Sequence, residues 1–210
     1  MKTVVKKTIF LLFAGVSVLL LLITGIQYKN RYCFQRQLAD KVLRFHVLAE
    51  SDSAYDQHMK LMVRDEIGAM LAEQLDGIDS LAACEKKVAA LLPQIERTAE
   101  ETLRKAGCTA AVTASLEQAD FPVKRYGDYT FPAGSYEALR VKIGEGEGQN
   151  WWCVMYPNMC FADSVYEEVG DQEEEALRRV LSGEEYEAVL AAGDYQVKFK
   201  YLTFLNRLLQ

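Results

Sequence analysis

Val42-Leu43-Arg44-Phe45-His46-Val47-Leu48-Ala49, followed at once by Glu50-Ser51-Asp52-Ser53, decides how this chain is read. Leu43, Phe45, Val47 and Ala49 alternate with Val42, Arg44, His46 and Leu48, the period of two of a strand with one strongly apolar face. The Ser/Asp run then supplies side-chain oxygens for a helix N-terminus. Ser53 with Asp56 three residues later resembles a capping box in which Asp replaces Glu. A strand that runs straight into a capped helix points to an α+β domain.

The elements downstream extend that pattern. The first helix is expected to run to about Leu75, with Tyr55, Met59, Met62, Val63, Ile67, Met70, Leu71 and Leu75 on one stripe, and Gly77 stops it. Ser80 opens a second helix through Leu92, and Pro93 occupies the first turn of a third that ends at Gly107. From Thr109 to Leu116 the residues read as a strand. Tyr136 to Ile143 (YEALRVKI) and Trp151 to Tyr156 (WWCVMY) are the best strands of a β-rich stretch, and Gly144-Glu-Gly-Glu-Gly148 between them reads as a hairpin loop. Asp171 to Leu181 and Glu184 to Ala192 start acidic and read as helices, and Tyr195 to Leu202 is strand-like. The expected fold class is α+β, with helices packed on a mixed or antiparallel sheet.

Upstream lies a different kind of segment. Thr8 to Tyr28 (TIFLLFAGVSVLLLLITGIQY) contains no charged residue, and a helix of about this length spans the roughly 30 Å hydrocarbon layer of a bilayer. An uncleaved anchor fits the length and the flanking Tyr28, Lys29, Arg31 and Tyr32. A cleaved signal peptide fits the basic start (Lys2, Lys6, Lys7), although no Ala-x-Ala site follows. Positive charge on both sides leaves the orientation weakly determined. The whole chain of 210 residues has a net charge of −6, and every acidic residue lies at Asp40 or later. Half of the residues are hydrophobic and 26% are charged, which excludes a largely disordered chain. An acidic body argues against nucleic acid as a partner, since phosphate binding needs clustered Lys and Arg.

Chemistry-bearing groups are few. His46 with Ser51 or Ser53 and Asp52 could be drawn as a Ser–His–Asp set, but there is no Gly-x-Ser-x-Gly turn and the Ser/Asp cluster already caps a helix. His58 stands near a helix start without companions. A zinc site from Cys153, Cys160 and His46 has the wrong cysteine spacing and no second ligand pair. The glycine-rich loop is no phosphate cradle, because Glu145 and Glu147 would repel phosphate. No metal, cofactor or catalytic residue is expected, and the chain reads as a non-enzyme. Five cysteines (33, 84, 108, 153, 160) permit disulfides in an exported domain. Cys153 and Cys160 could close a short loop, or stay as buried thiols. In a strand, Trp151 and Trp152 face opposite ways, and each is either core or a binding anchor.

Together these segments resemble the stage II sporulation protein R family. The resemblance rests on Arg44-Phe45-His46-Val47-Leu48-Ala49 with Ser51-Asp52-Ser53, Asp56-Gln57 and Lys60-Leu61-Met62-Val63-Arg64-Asp65. In the second half it rests on Phe121-Pro122, Tyr126-Gly127-Asp128, Phe131 through Val141, Ile143-Gly144-Glu145-Gly146, Gly148 through Val154, Pro157 and Cys160-Phe161. Departures are Glu50, Ala54 and Asn158, where Asn, Pro and Pro are usual in the family.

The resemblance implies a signalling protein of endospore-forming bacteria. It would be exported from the forespore, remain in the forespore membrane or enter the intermembrane space, and act with its body outside the cytosol. Its partner would be a membrane-embedded aspartic protease of the mother cell, which then processes the precursor of sigma factor E. The expected organisation is a membrane anchor or signal segment at 1–28, a stalk at 29–41, the family domain at 42–165 and an acidic helical extension at 166–210. Contact with the partner is expected from the strand–helix junction (Arg44, His46, Asp52, Arg64, Asp65), from the hairpins between Tyr126 and Asn150, and from Trp151 and Trp152, with an internal Arg64–Asp65 ion pair as the competing reading of those two. The alternative function is an exported cell-wall hydrolase.

Overall fold

The computed structural model describes residues 2–159 and 171–191. Cys160 and the strand-like Tyr195 to Leu202 lie outside them. The chain opens with α1 (Lys2–Ala39), and a second unit begins at Leu38. Along α1 the side chains of Phe10, Leu11, Phe13, Leu21 and Ile26 stand exposed, and among the described residues this is the one helix long and apolar enough to cross a membrane. Its hydroxyls are satisfied within the helix: Ser17 donates to the Phe13 carbonyl (2.9 Å) and Thr24 to that of Leu20 (3.0 Å). That self-sufficiency suits an environment without water.

The second unit contains β1 (Leu43–Leu48), α2 (Ala54–Gln74), α3 (Leu81–Lys105), β2 (Val112–Phe121), β3 (Lys124–Tyr126), β4 (Tyr129–Phe131), β5 (Gly134–Ile143), β6 (Asn150–Tyr156), α4 (Asp171–Val180) and α5 (Gly183–Ala191). Four strands form one mixed sheet in the order β2-β5-β1-β6, and β3 with β4 makes a separate hairpin. β1 runs parallel to β5 and antiparallel to β6. A parallel pair needs a long crossover, and α2 and α3 supply it. Their apolar stripes (Met59, Val63, Ile67, Leu71; Val88, Leu91, Ile95, Leu103) are buried with Leu43, Phe45, Val47, Leu139, Val141 and Ile143. The fold is α+β, as the residue pattern indicates.

The Ser53 cap forms, but the reciprocal bond of a capping box does not, since the Ser53 amide donates to the Ser51 hydroxyl (3.1 Å) instead of to Asp56. Ser53 accepts from the Asp56 amide (3.1 Å), and the Asp56 carboxylate takes hydroxyl donors from Ser53 (2.8 Å) and Ser51. Those two hydroxyls, Ser51 foremost, hold the Asp56 carboxyl below its ordinary range.

Several expectations need correction. Pro93 does not open a third helix; α3 continues through it. Pro93 and Ala89, whose carbonyl loses its amide partner there, are both exposed, so water can satisfy that group while the buried stripe runs on unbroken. The strand after Gly107 starts later and runs longer than Thr109 to Leu116, as Val112–Phe121. β1 has no solvated face: all six residues are buried.

The largest correction concerns the hairpin placed between β5 and β6. β1 lies between those strands, so residues 144–149 cross over its C-terminal end. The Glu147 and Gly148 amides donate to the carbonyls of Glu50 (3.2 Å) and Ala49 (2.9 Å). The Glu145 amide reaches the Glu50 carboxylate (3.0 Å), and the Gln149 amide reaches Asp52 (2.7 Å). The glycines permit this close approach. Gly146 has φ +67, and a Cβ on Gly148 would lie 2.3 Å from the Ser51 carbonyl oxygen.

Candidate functional site

The sheet face away from α2 and α3 collects the unusual polar groups. Register sets Ser115, Arg140, His46 and Trp152 in one row across the four strands, and Glu117, Ala138, Arg44 and Val154 in the next. The second row lies under aromatic rings. The Arg44 guanidinium carbon stands 4.3 Å from the ring centre of Phe121, 5.0 Å from Tyr136, 5.2 Å from Phe131 and 5.9 Å from Tyr126. Arg44 is fully buried, donating from Nε to the Cys153 carbonyl (3.0 Å) and from Nη2 to the Tyr126 hydroxyl (3.1 Å). Its Nη1 has no hydrogen-bond partner, and among the described residues no carboxylate neutralises it. Desolvation lowers its pKa, yet a guanidinium starts high enough to stay charged. Ring quadrupoles replace a counter-ion here.

The first row is partly open. His46 is 3% exposed and stacks on Trp152, with ring centres 4.9 Å apart and planes at 18°. Neither of its ring nitrogens has a hydrogen-bond partner. Burial, then the charge of Arg140, lowers its pKa to about 4, so it is neutral near pH 7. Arg140 pairs with Glu117 (2.8 Å), which also accepts from Ser115 (3.0 Å), while Arg140 Nε is buried without a partner. The Arg140 hydrogen bond holds the Glu117 carboxyl below its ordinary range. Trp152 is half-buried, Lys124 Nζ lies 5.7 Å from its ring centre, and neighbouring Val123 is 60% exposed. The result is a shelf of indole and cations on an otherwise acidic chain.

The residues picked out from the sequence therefore divide. Arg44, His46, Tyr126 and Trp152 come together on this face, but Arg44, His46 and Tyr126 are buried and support the half-buried Trp152 from beneath. Trp151 is on the other side of the sheet, edge-on to Phe45 (5.4 Å) and beneath the Arg64 guanidinium (5.4 Å). Arg64 is engaged with Asp65 (2.7 Å from Nε), so the internal ion pair exists. Asp52 caps the 144–149 crossover, and Asn150 pairs with Leu48 beside it. Cys153 is opposite Phe45 in the ladder and His46 opposite Trp152, so successive side chains put the cysteine and the histidine on opposite faces. That placement separates two members of the zinc set considered above. Cys33, Cys84 and Cys108 are free thiols, and burial pushes Cys84 up to about 12.

Sequence inspection missed Lys124, Phe121 and Glu117 as members of the face, and did not single out Arg140 within the Tyr126 to Asn150 stretch. Parity within YEALRVKI carried the signal for Arg140: Tyr136, Ala138, Arg140 and Lys142 share the face that Arg44 and His46 share on β1. A cavity of about 650 Å³ lined by Leu75, Ile78, Cys84, Met155, Tyr156 and Val180 contains none of the residues expected to bind a partner.

Residues 39–166 match the family described as stage II sporulation protein R. The chain is 34% identical over 158 residues to the stage II sporulation protein R of Bacillus subtilis, covering 75% of this chain and 70% of that protein. No solved structure matches. A match that spans β1 through β6, with a relative at this identity along most of both chains, leads to one assignment: the chain belongs to the stage II sporulation protein R family.

Proposed function

We propose that this chain is an exported intercellular signal of sporulation that activates a membrane-embedded aspartic protease in the opposing membrane, leading to processing of the sigma factor E precursor. Family membership over residues 39–166 carries this reading. Two features of the chain support it. An apolar helix precedes the domain, which suits delivery across or anchoring in the forespore membrane with the body outside the cytosol. The domain also presents a half-buried indole among cations, a composition suited to protein contact. Action by touch requires only tighter binding to the partner's active state than to its inactive one. The competing hydrolase reading needs paired carboxylates, whereas Glu117, the carboxylate on the shelf, is committed to Arg140 and Ser115.

In the oxidising space outside the cytosol, Cys153 is proposed to pair with Cys160. Blocking free thiols before and after reduction, followed by peptide mass analysis, tests the pair; alkylation of Cys153 without reductant would exclude it. For the function itself, the gene is deleted in sporulating cells and the sigma factor E precursor followed by immunoblot. Accumulation of the precursor, reversed by the full chain, is expected. Normal processing without the gene would overturn the reading.

A further inference from the structure

We infer that the Trp152–Arg140–Lys124 shelf receives a carboxylate-bearing, extended segment of a protein partner. The inference rests on the docking function proposed above and specifies its chemistry. Lys124 lies against the half-buried indole, Arg140 stands in the same row beyond His46 and Arg44 in the next row, and the carboxylate described on this face is Glu117, paired with Arg140, on a chain whose net charge is −6. That local inversion of sign is selective for an anionic group. The groups are also directional. Arg140 Nε and both His46 nitrogens are buried without partners directly behind the shelf, so the charge of Arg140 is only partly satisfied within the protein.

A carboxylate would take Lys124 and Arg140, and the adjacent peptide plane or an apolar side chain would lie on Trp152 and Val123. An anionic bilayer surface is the weaker fit. It gathers many cations over a broad face, whereas this shelf has few and the remaining chain would be repelled.

The test uses the full chain in sporulating cells, with a photoreactive Val123→p-benzoylphenylalanine substitution at the exposed edge of the shelf and a control reporter at exposed Lys86 on α3. Irradiation should give an adduct from position 123 to a peptide carrying Asp or Glu, and none from position 86. Lys124→Glu and Arg140→Glu should each lower its yield about tenfold. Lys124→Gln leaves the Arg140–Glu117 pair intact and should lower the yield severalfold, which keeps the test informative if Arg140→Glu fails to fold. An adduct to lipid, an adduct to a segment without acidic residues, or yields unchanged by Lys124→Gln would overturn the inference. An acidic-segment adduct on a protein other than the protease would retain the shelf and sink the activation reading. Precursor processing that depends on the gene, with adducts only from position 86, would do the reverse.

Discussion

Replacing His46 with phenylalanine should leave stability at pH 7 nearly unchanged and remove much of its loss on acidification. The folded protein lowers the His46 pKa to about 4 from an ordinary 6.5. Because the folded value is the lower one, protonation favours the unfolded chain. The contribution is intact above pH 6.5 and is lost as the pH falls from 6.5 towards 4. Two protonation curves with those midpoints give a loss of about 2 kcal/mol between pH 7 and pH 5, rising to about 3 kcal/mol below pH 4. Phenylalanine keeps a ring against Trp152 and Phe121 and sacrifices no hydrogen bond, since neither imidazole nitrogen makes one. Its cost at pH 7 should therefore stay within about 1 kcal/mol.

Urea unfolding of the full chain in micelles, followed by tryptophan fluorescence at pH 7 and pH 5, measures both quantities. Asp56, Glu117 and Glu185 also have lowered pKa values, and their contributions are lost as the pH falls through the carboxylate range. Asp56 and Glu185 are common to both proteins and cancel in the comparison, whereas Glu117 feels the His46 charge and carries part of the same difference. Equal losses in wild type and His46→Phe between pH 7 and pH 5 would refute the buried, neutral imidazole.

Four further outcomes follow from named contacts. Arg44→Met should stay within about 1 kcal/mol of wild type in urea unfolding, while Arg44→Lys should cost about 2 kcal/mol or more, because an ammonium cannot spread over four rings or donate as a fork; the opposite order would show that charge, rather than planar shape, holds the cage. Gly148→Ala should cost about 1–3 kcal/mol, since the added methyl meets the Ser51 carbonyl at 2.3 Å, and an unchanged thermal midpoint would refute the close crossover. Ser53→Ala should cost about 1 kcal/mol in the same assay by removing the α2 cap. Glu96 accepts from the Ala114 amide on outer strand β2 (2.9 Å), so Glu96→Ala should promote concentration-dependent association measured by light scattering.

Much of the domain is local in origin and could be read from the chain. Alternation in VLRFHVLA and YEALRVKI, the Ser53 cap and the α2 stripe are nearest-neighbour properties, and each element forms where they place it. The anchor-length helix is equally local, because exclusion of charge over twenty residues is visible without any fold. Pro93 misled because α3 continues through it with the freed Ala89 carbonyl on the exposed face, and that exposure is a tertiary fact. The 144–148 loop misled for a related reason. Glycines at alternate positions signal close backbone approach, but not which backbone is approached, and here it is the end of β1.

The candidate face was legible only in part. Arg44, His46 and Trp152 drew attention as polar or aromatic residues on strands, yet the order β2-β5-β1-β6 alone sets Arg140 beside His46 and folds the β3–β4 hairpin over Arg44. Element type, capping and the membrane-length helix are dictated by contacts within a few residues along the chain. Strand order and the burial of a guanidinium among rings depend on pairs separated by more than a hundred positions, whose meeting is chosen by total packing of the sheet and not by any local preference.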